Sequence, residues 1–313
     1  MTASVLLSVL PPFSFNLVQD VTNMLQFTFM QSALLAGTAL AVVAGLVGYF
    51  VVLRRQLFAS EALSHVGFAG VMGAAVLGID QLAGLFGLTA LVALGMGLLG
   101  KRARARDVAV GTLLAWVLGL GVFFLSVYIN GGGPTHVITL GVNTLFGTIL
   151  GLSPSQALLI ALFSAGVILA LLALLRPLLF ASLDPEVAEA RGLPVQLLGS
   201  VFLVLVAITV GVAIQAVGIL LLFSLLVAPG AIAQRLVARP GAALLLSAAL
   251  ALAFTWGSLL LGFYLNYPVS FLISTLAFVS FVATLLSQWL LQRWRQRAPA
   301  EQRPTAASTT SRS

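Results

Sequence analysis

Few side chains in this sequence can do chemistry, and two of them, Glu61 and His65, stand four residues apart in Ser60-Glu61-Ala62-Leu63-Ser64-His65. On a helix that spacing puts both on one face, about one turn apart. A carboxylate and an imidazole so placed can share a divalent cation, with Ser64 and water nearby. They can equally form a plain hydrogen-bonded pair with a capping or structural role. Ionisable groups inside an apolar span are functional candidates by default. A second candidate is Asn130-Gly131-Gly132-Gly133-Pro134-Thr135-His136. Three glycines and a proline cannot continue a helix, so this is a loop or a broken, re-entrant segment, with His136 either a surface residue or a metal contact. The apolar but short run 137–152 follows, with Asn143 inside it. Broken helices often line translocation paths. Asn143, and Gln215 in a later apolar run, are the candidates for lining one.

The third candidate is the charged, amphipathic stretch 180–194, Phe-Ala-Ser-Leu-Asp-Pro-Glu-Val-Ala-Glu-Ala-Arg-Gly-Leu-Pro. Asp184 suits a helix cap, Pro185 the first turn, and Gly192 a stop before Pro194. With Glu186, Glu189 and Arg191 it forms a short mixed-charge helix, either built to dock on a soluble partner or idle on the surface. Other chemistry is excluded. No cysteine is present, which removes disulfides, thiolate metal sites and thiol catalysis, and two histidines rule out a multi-His zinc centre. Gly95-Met96-Gly97-Leu98-Leu99-Gly100-Lys101-Arg102 approaches a phosphate loop, but it lacks the final Ser/Thr and follows no strand. Any ATP energy must therefore come from another chain.

The elements that must hold these residues are set by composition. Of 313 residues 60% are hydrophobic and 7% charged, with a mean hydropathy of +1.14. A soluble domain carries about 25% charged residues, so the chain is an all-α, polytopic membrane protein. Spans of about 20 apolar residues fall near 28–53, 60–79, 82–100, 108–129, 156–176, 196–215, 217–234, 242–263 and 268–291, which is eight or nine transmembrane helices. The formal charge of +7 sits in clusters between them. Arg54 and Arg55, Lys101 to Arg106, Arg176, Arg235 and Arg239, and Arg293 to Arg297 all follow odd-numbered spans, and the opposite loops have no basic residue. That alternation puts the N-terminus outside and the C-terminus in the cytoplasm. It also leaves no basic patch interleaved with aromatics for nucleic acid. Residues 1–27 read as an extracytoplasmic or interfacial arm, 28–292 as the transmembrane domain and 293–313 as a disordered cytoplasmic tail. Ala41 and Gly45, Ala44 and Gly48, Ala69 and Gly73, and Gly70 and Ala74 are four apart, a spacing that lets helix backbones approach in lipid, within a bundle or between copies.

Several segments together resemble the membrane permease subunits of bacterial ABC importers for zinc, manganese or iron. Phe29-Met30-Gln31-Ser32-Ala33-Leu34-Leu35-Ala36-Gly37 and Gly48 to Arg55 resemble that family's first span, and Glu61-Ala62-Leu63-Ser64-His65 is similar to its Asp-Ala-Leu-Ser-His motif. Leu145 to Gly151, Asp184 to Gly192 and the run Val217 to Pro229 resemble further family segments, in the expected order over roughly residues 28–290. The resemblance implies a non-enzymatic transport subunit in the bacterial cytoplasmic (inner) membrane. Its implied partners are a second permease copy, two ATPase subunits and an extracytoplasmic metal-binding protein. It implies that Glu61 and His65 touch the metal transiently, with no stably bound cofactor, and that a coupling helix over about 181–194 takes up ATPase motion. Two departures stand out: Glu61 replaces the usual Asp, and residues 264–268 lack the expected Pro-x-Gly feature.

The alternatives differ in what they require. A cobalamin or siderophore permease needs a wide path and no Glu/His pair. An ion-coupled secondary transporter needs ionisable residues at the bilayer midplane, and spans 4 to 9 have no acidic or basic residue in their interiors. An intramembrane enzyme needs a nucleophile–base set or several metal ligands.

Overall fold

The computed structural model describes residues 22–98, 103–130, 136–265 and 267–297. In chain order the helices are α1 (Thr28–Leu53), α2 (Leu57–Leu77), α3 (Gln81–Leu98), α4 (Ala103–Asn130), α5 (His136–Phe146), α6 (Pro154–Leu183), α7 (Pro185–Ala190), α8 (Val195–Ala216), α9 (Ile219–Leu236), α10 (Pro240–Leu265) and α11 (Val269–Arg297). A single 3-10 turn, Ile149–Gly151, joins α5 to α6, and no strand occurs among the described residues. Long apolar runs become helices because lipid offers backbone amides no partner, so each segment must satisfy its own.

Among the described residues, nine long helices fall on the nine expected spans. Seven are long and apolar enough to cross a membrane by length and composition. The other two, α3 and α9, have 18 residues each, about 27 Å at 1.5 Å per residue. The fifth span runs further than its sequence suggests, since α6 continues through Arg176 and Pro177 to Leu183. The short amphipathic helix is correspondingly confined to Pro185–Ala190. The Gly131–Thr135 loop, Leu99 to Arg102, the arm before Thr22 and the tail after Arg297 lie outside the described residues.

The centre of the bundle is α1, packed against α6, α8, α9 and α10. Its small residues serve contacts within the chain. A Cβ on Gly45 would stand 2.6 Å from the Ala248 Cα, and one on Gly48 would enter the Leu226 carbonyl. Polar side chains lock the same contacts: Ser247 Oγ donates to the Gly45 carbonyl at 2.6 Å, and Gln234 Nε2 to the Tyr49 carbonyl at 2.8 Å. Gly70 of α2 likewise packs on Gly84 of α3, and Gly73 on Phe124 of α4. By contrast α4 leans mainly on α2 and leaves Trp116, Val122 and Phe123 exposed.

Candidate functional site

Helix α2 starts after a tight corner in which Arg55 takes a left-handed φ of 54°. Its first two turns then present Phe58, Glu61 and His65 along one open stripe. His65 Nε2 lies 3.3 Å from Glu61 Oε1, with the two side chains 15% and 30% exposed. Glu61 Oε2 is buried and has no hydrogen-bond partner among the described residues. Ser64 does not join the pair, because its hydroxyl donates to the Ser60 carbonyl at 3.1 Å. One turn further along the stripe, Phe68 and Met72 are buried, and Gly121 of α4 packs on Phe68. The stripe is thus open around the pair and closed beyond it. No group of three or more His, Cys, Asp or Glu able to hold a metal occurs among the described residues. One copy of this pair therefore offers a cation one nitrogen and the carboxylate oxygens.

The other end of the bundle holds a cavity of about 550 Å³. Asn143 of α5 and Gln215 of α8, picked out by sequence as path-lining candidates, both face it, together with Asp80, Gln81, Thr148 and Gln156. Beside it two helix breaks touch. Gly147 (φ +76°) ends α5 and Gly218 (φ +83°) precedes α9, and a Cβ on either would run into the other's backbone. The side chain of His136 is not among those described.

At the first end, a cavity of about 690 Å³ separates the α1–α2 corner from α7. Asp184 Oδ1 caps α7 by accepting from Val187 N at 3.1 Å, Pro185 opens it, and Gly192 (φ +79°) turns the chain away. Only Ala188 of α7 is buried, on Ala181 and Leu198, which leaves Asp184, Glu186, Glu189, Arg191 and Gly192 on an exposed surface. Arg191 lies over the Phe180 ring at 5.5 Å.

Sequence reasoning missed two features. The first is Arg54. Its Nη1 donates to Ser182 Oγ at 3.0 Å and its guanidinium lies 5.6 Å from the Phe202 ring, so it ties the α1–α2 corner to the end of α6. Nothing local signals a bond across 128 residues. The second is the cavity wall of Asp80, Gln81 and Gln156. A lone carboxylate between two apolar runs was the available signal, and it was not singled out. Asp80 caps α3, since Ala83 N donates to its Oδ1 at 3.0 Å. The near-phosphate-loop pattern has a plainer explanation: Gly95 to Leu98 is the last turn of α3, and Gly97 is small because Ser200 of α8 abuts it.

Comparison with known proteins agrees with this architecture. The chain is 28% identical over 296 residues to the manganese transport system membrane protein MntC of Halalkalibacterium halodurans, covering 93% of this chain and 99% of that one. It is 30% identical over 251 residues to MntC of Listeria monocytogenes, covering 78% and 84%. Among solved structures, PsaBC from Streptococcus pneumoniae in complex with Fab matches with a TM-score of 0.74 and 25% identity, over 86% of this chain and 95% of that one. Residues 26–288 match the family model described as the ABC 3 transport family, and the chain belongs to that family.

Proposed function

We propose that this chain is the permease subunit of an ABC importer that carries a divalent metal ion, manganese first, across the bacterial cytoplasmic membrane. The observation that carries the reading is Glu61 Oε2, a carboxylate oxygen buried without a donor among the described residues and beside an imidazole. Burying such an oxygen unpaired costs about 1–3 kcal/mol or more, and a passing cation relieves that cost. The names of the manganese-transport relatives support the choice of metal.

In this reading a second copy faces the first across the open stripe of α2, so two Glu61/His65 pairs supply the donors that one cannot. Binding stays weak, because a tight site would stall transport. The basic ends of the odd-numbered spans, with α7, face the cytoplasm, and the N-terminus lies outside. Two partner ATPases dock on the exposed face of α7 and drive alternating access, while an extracytoplasmic binding protein captures the metal. Asn143 and Gln215 line the path at the outer end. The chain itself hydrolyses nothing and keeps no cofactor.

Manganese, zinc and iron uptake by the assembled transporter, in wild type and in Glu61→Gln and His65→Ala, tests this. The expected result is at least a tenfold loss of uptake in both variants with assembly and ATP hydrolysis retained. Unchanged uptake would make the pair structural. A wild type that moves none of the three metals would shift the reading to a larger, chelated substrate.

A further inference from the structure

We propose that the cavity at the outer end is a second cation station, which takes a hard divalent cation with part of its hydration shell through oxygen atoms alone, and that Asp80 supplies its charge. The inference rests on the metal-import reading above. The bundle is overwhelmingly apolar, yet Asp80, Gln81, Asn143, Thr148, Gln156 and Gln215 line one cavity from five separate elements. Asp80, Gln81 and Gln156 are exposed, while Asn143, Thr148 and Gln215 are partly buried. Helix capping accounts for only two of the six: Asp80 caps α3, and Gln156 accepts from Ser153 N at the start of α6.

The donor chemistry is one-sided. A carboxylate, amides and a hydroxyl suit hard cations of the manganous or magnesium kind, and among the described side chains that line the cavity none is an imidazole or a thiolate. The cavity is also large. At about 30 Å³ per water, a volume of about 550 Å³ holds an ion with a full first shell of water, which fits loose holding rather than a cage. Charge is one-sided too. Asp80 is the one carboxylate at that end among the described residues, and no lysine or arginine accompanies it. A single negative charge between low-dielectric walls raises the local cation concentration. The two stations then differ in kind: the described side chains of the outer one offer oxygen to a cation, and the inner one adds a nitrogen from His65.

The test uses the whole transporter and the manganous ion alone. Binding is read by loss of the free-ion paramagnetic resonance signal, in protein carrying Glu61→Gln so that the inner pair does not contribute. Asp80→Asn removes the charge and keeps the cap, since Asn ranks with Asp at that position. Weak binding that falls about tenfold in Asp80→Asn, and returns when Asn143→Asp restores a carboxylate on another wall, is the expected result. A cap role cannot produce that rescue. Binding that is absent, or that ignores Asp80, would overturn the station. Asp80-dependent binding in a transporter whose wild type imports no metal would sustain the station and sink the import reading.

Discussion

The two oxygens of Glu61 live under different conditions: Oε1 faces His65 at 3.3 Å, and Oε2 is buried with no donor among the described residues. That asymmetry separates a bracing role from a transport role. A brace would be missed on removal, whereas an unsatisfied buried oxygen is a burden. Replacing both partners of a buried polar pair by apolar residues of similar size is often neutral or stabilising. Glu61→Leu combined with His65→Leu should therefore leave the thermal unfolding midpoint of the purified protein unchanged or raised while uptake is lost. A loss of stability above about 2 kcal/mol would mark the pair as structural. Glu61→Asp withdraws the carboxylate by one methylene, so its Oδ atoms no longer reach His65 at the same distance. Uptake should persist with a several-fold higher half-saturating metal concentration, and competition between manganese and zinc should change order or ratio.

Among the elements, the corner between α1 and α2 joins the exposed face of α7 to the Glu61/His65 pair. Arg54 bonds Ser182, two residues before Asp184, and stands seven residues before Glu61 in the chain. Movement of α7 therefore reaches the start of α2 through one guanidinium. Arg54→Ala should cost about 1–3 kcal/mol by thermal denaturation and raise the ATP hydrolysed per metal imported, with Arg54→Lys recovering only part because it loses the planar fork. An unchanged ratio of hydrolysis to uptake would exclude this route. The glycines give a contrast on single helices. Gly48→Ala drives a methyl into the Leu226 carbonyl and should prevent folding, while Gly95 has open space around it, so Gly95→Ala should stabilise by about 0.5–1 kcal/mol. Melting curves in detergent decide both.

At the scale of the whole molecule, the absence of native cysteine makes sidedness directly measurable. In intact cells Gln81→Cys should react with a membrane-impermeant thiol reagent, and Glu186→Cys only after permeabilisation. The reverse pattern would invert the topology. The span pattern was legible in sequence because lipid imposes one rule on every segment, so apolar length and basic punctuation located all nine long helices. The Glu61/His65 pair was legible because an i, i+4 spacing is local. Partnerships across the bundle were not, since Arg54 with Ser182 and the polar cavity wall depend on how helices pack. Small-residue spacing left packing within one chain and between copies equally open. The structure assigns Gly45, Gly48, Gly70 and Gly73 to neighbours in the same chain.

Gly147 and Gly218 belong to segments 71 positions apart in sequence, yet each occupies the space the other's side chain would need. Neither backbone can be displaced there without pushing on its counterpart. A rearrangement at the start of α9 is therefore mechanically transmitted to the end of α5 and to the wall that carries Asn143. In evolutionary terms the two positions form one locus. A lineage that loses one glycine must open space at the other site, so among related sequences the two should be gained and lost together, a covariance that sequence comparison alone can test.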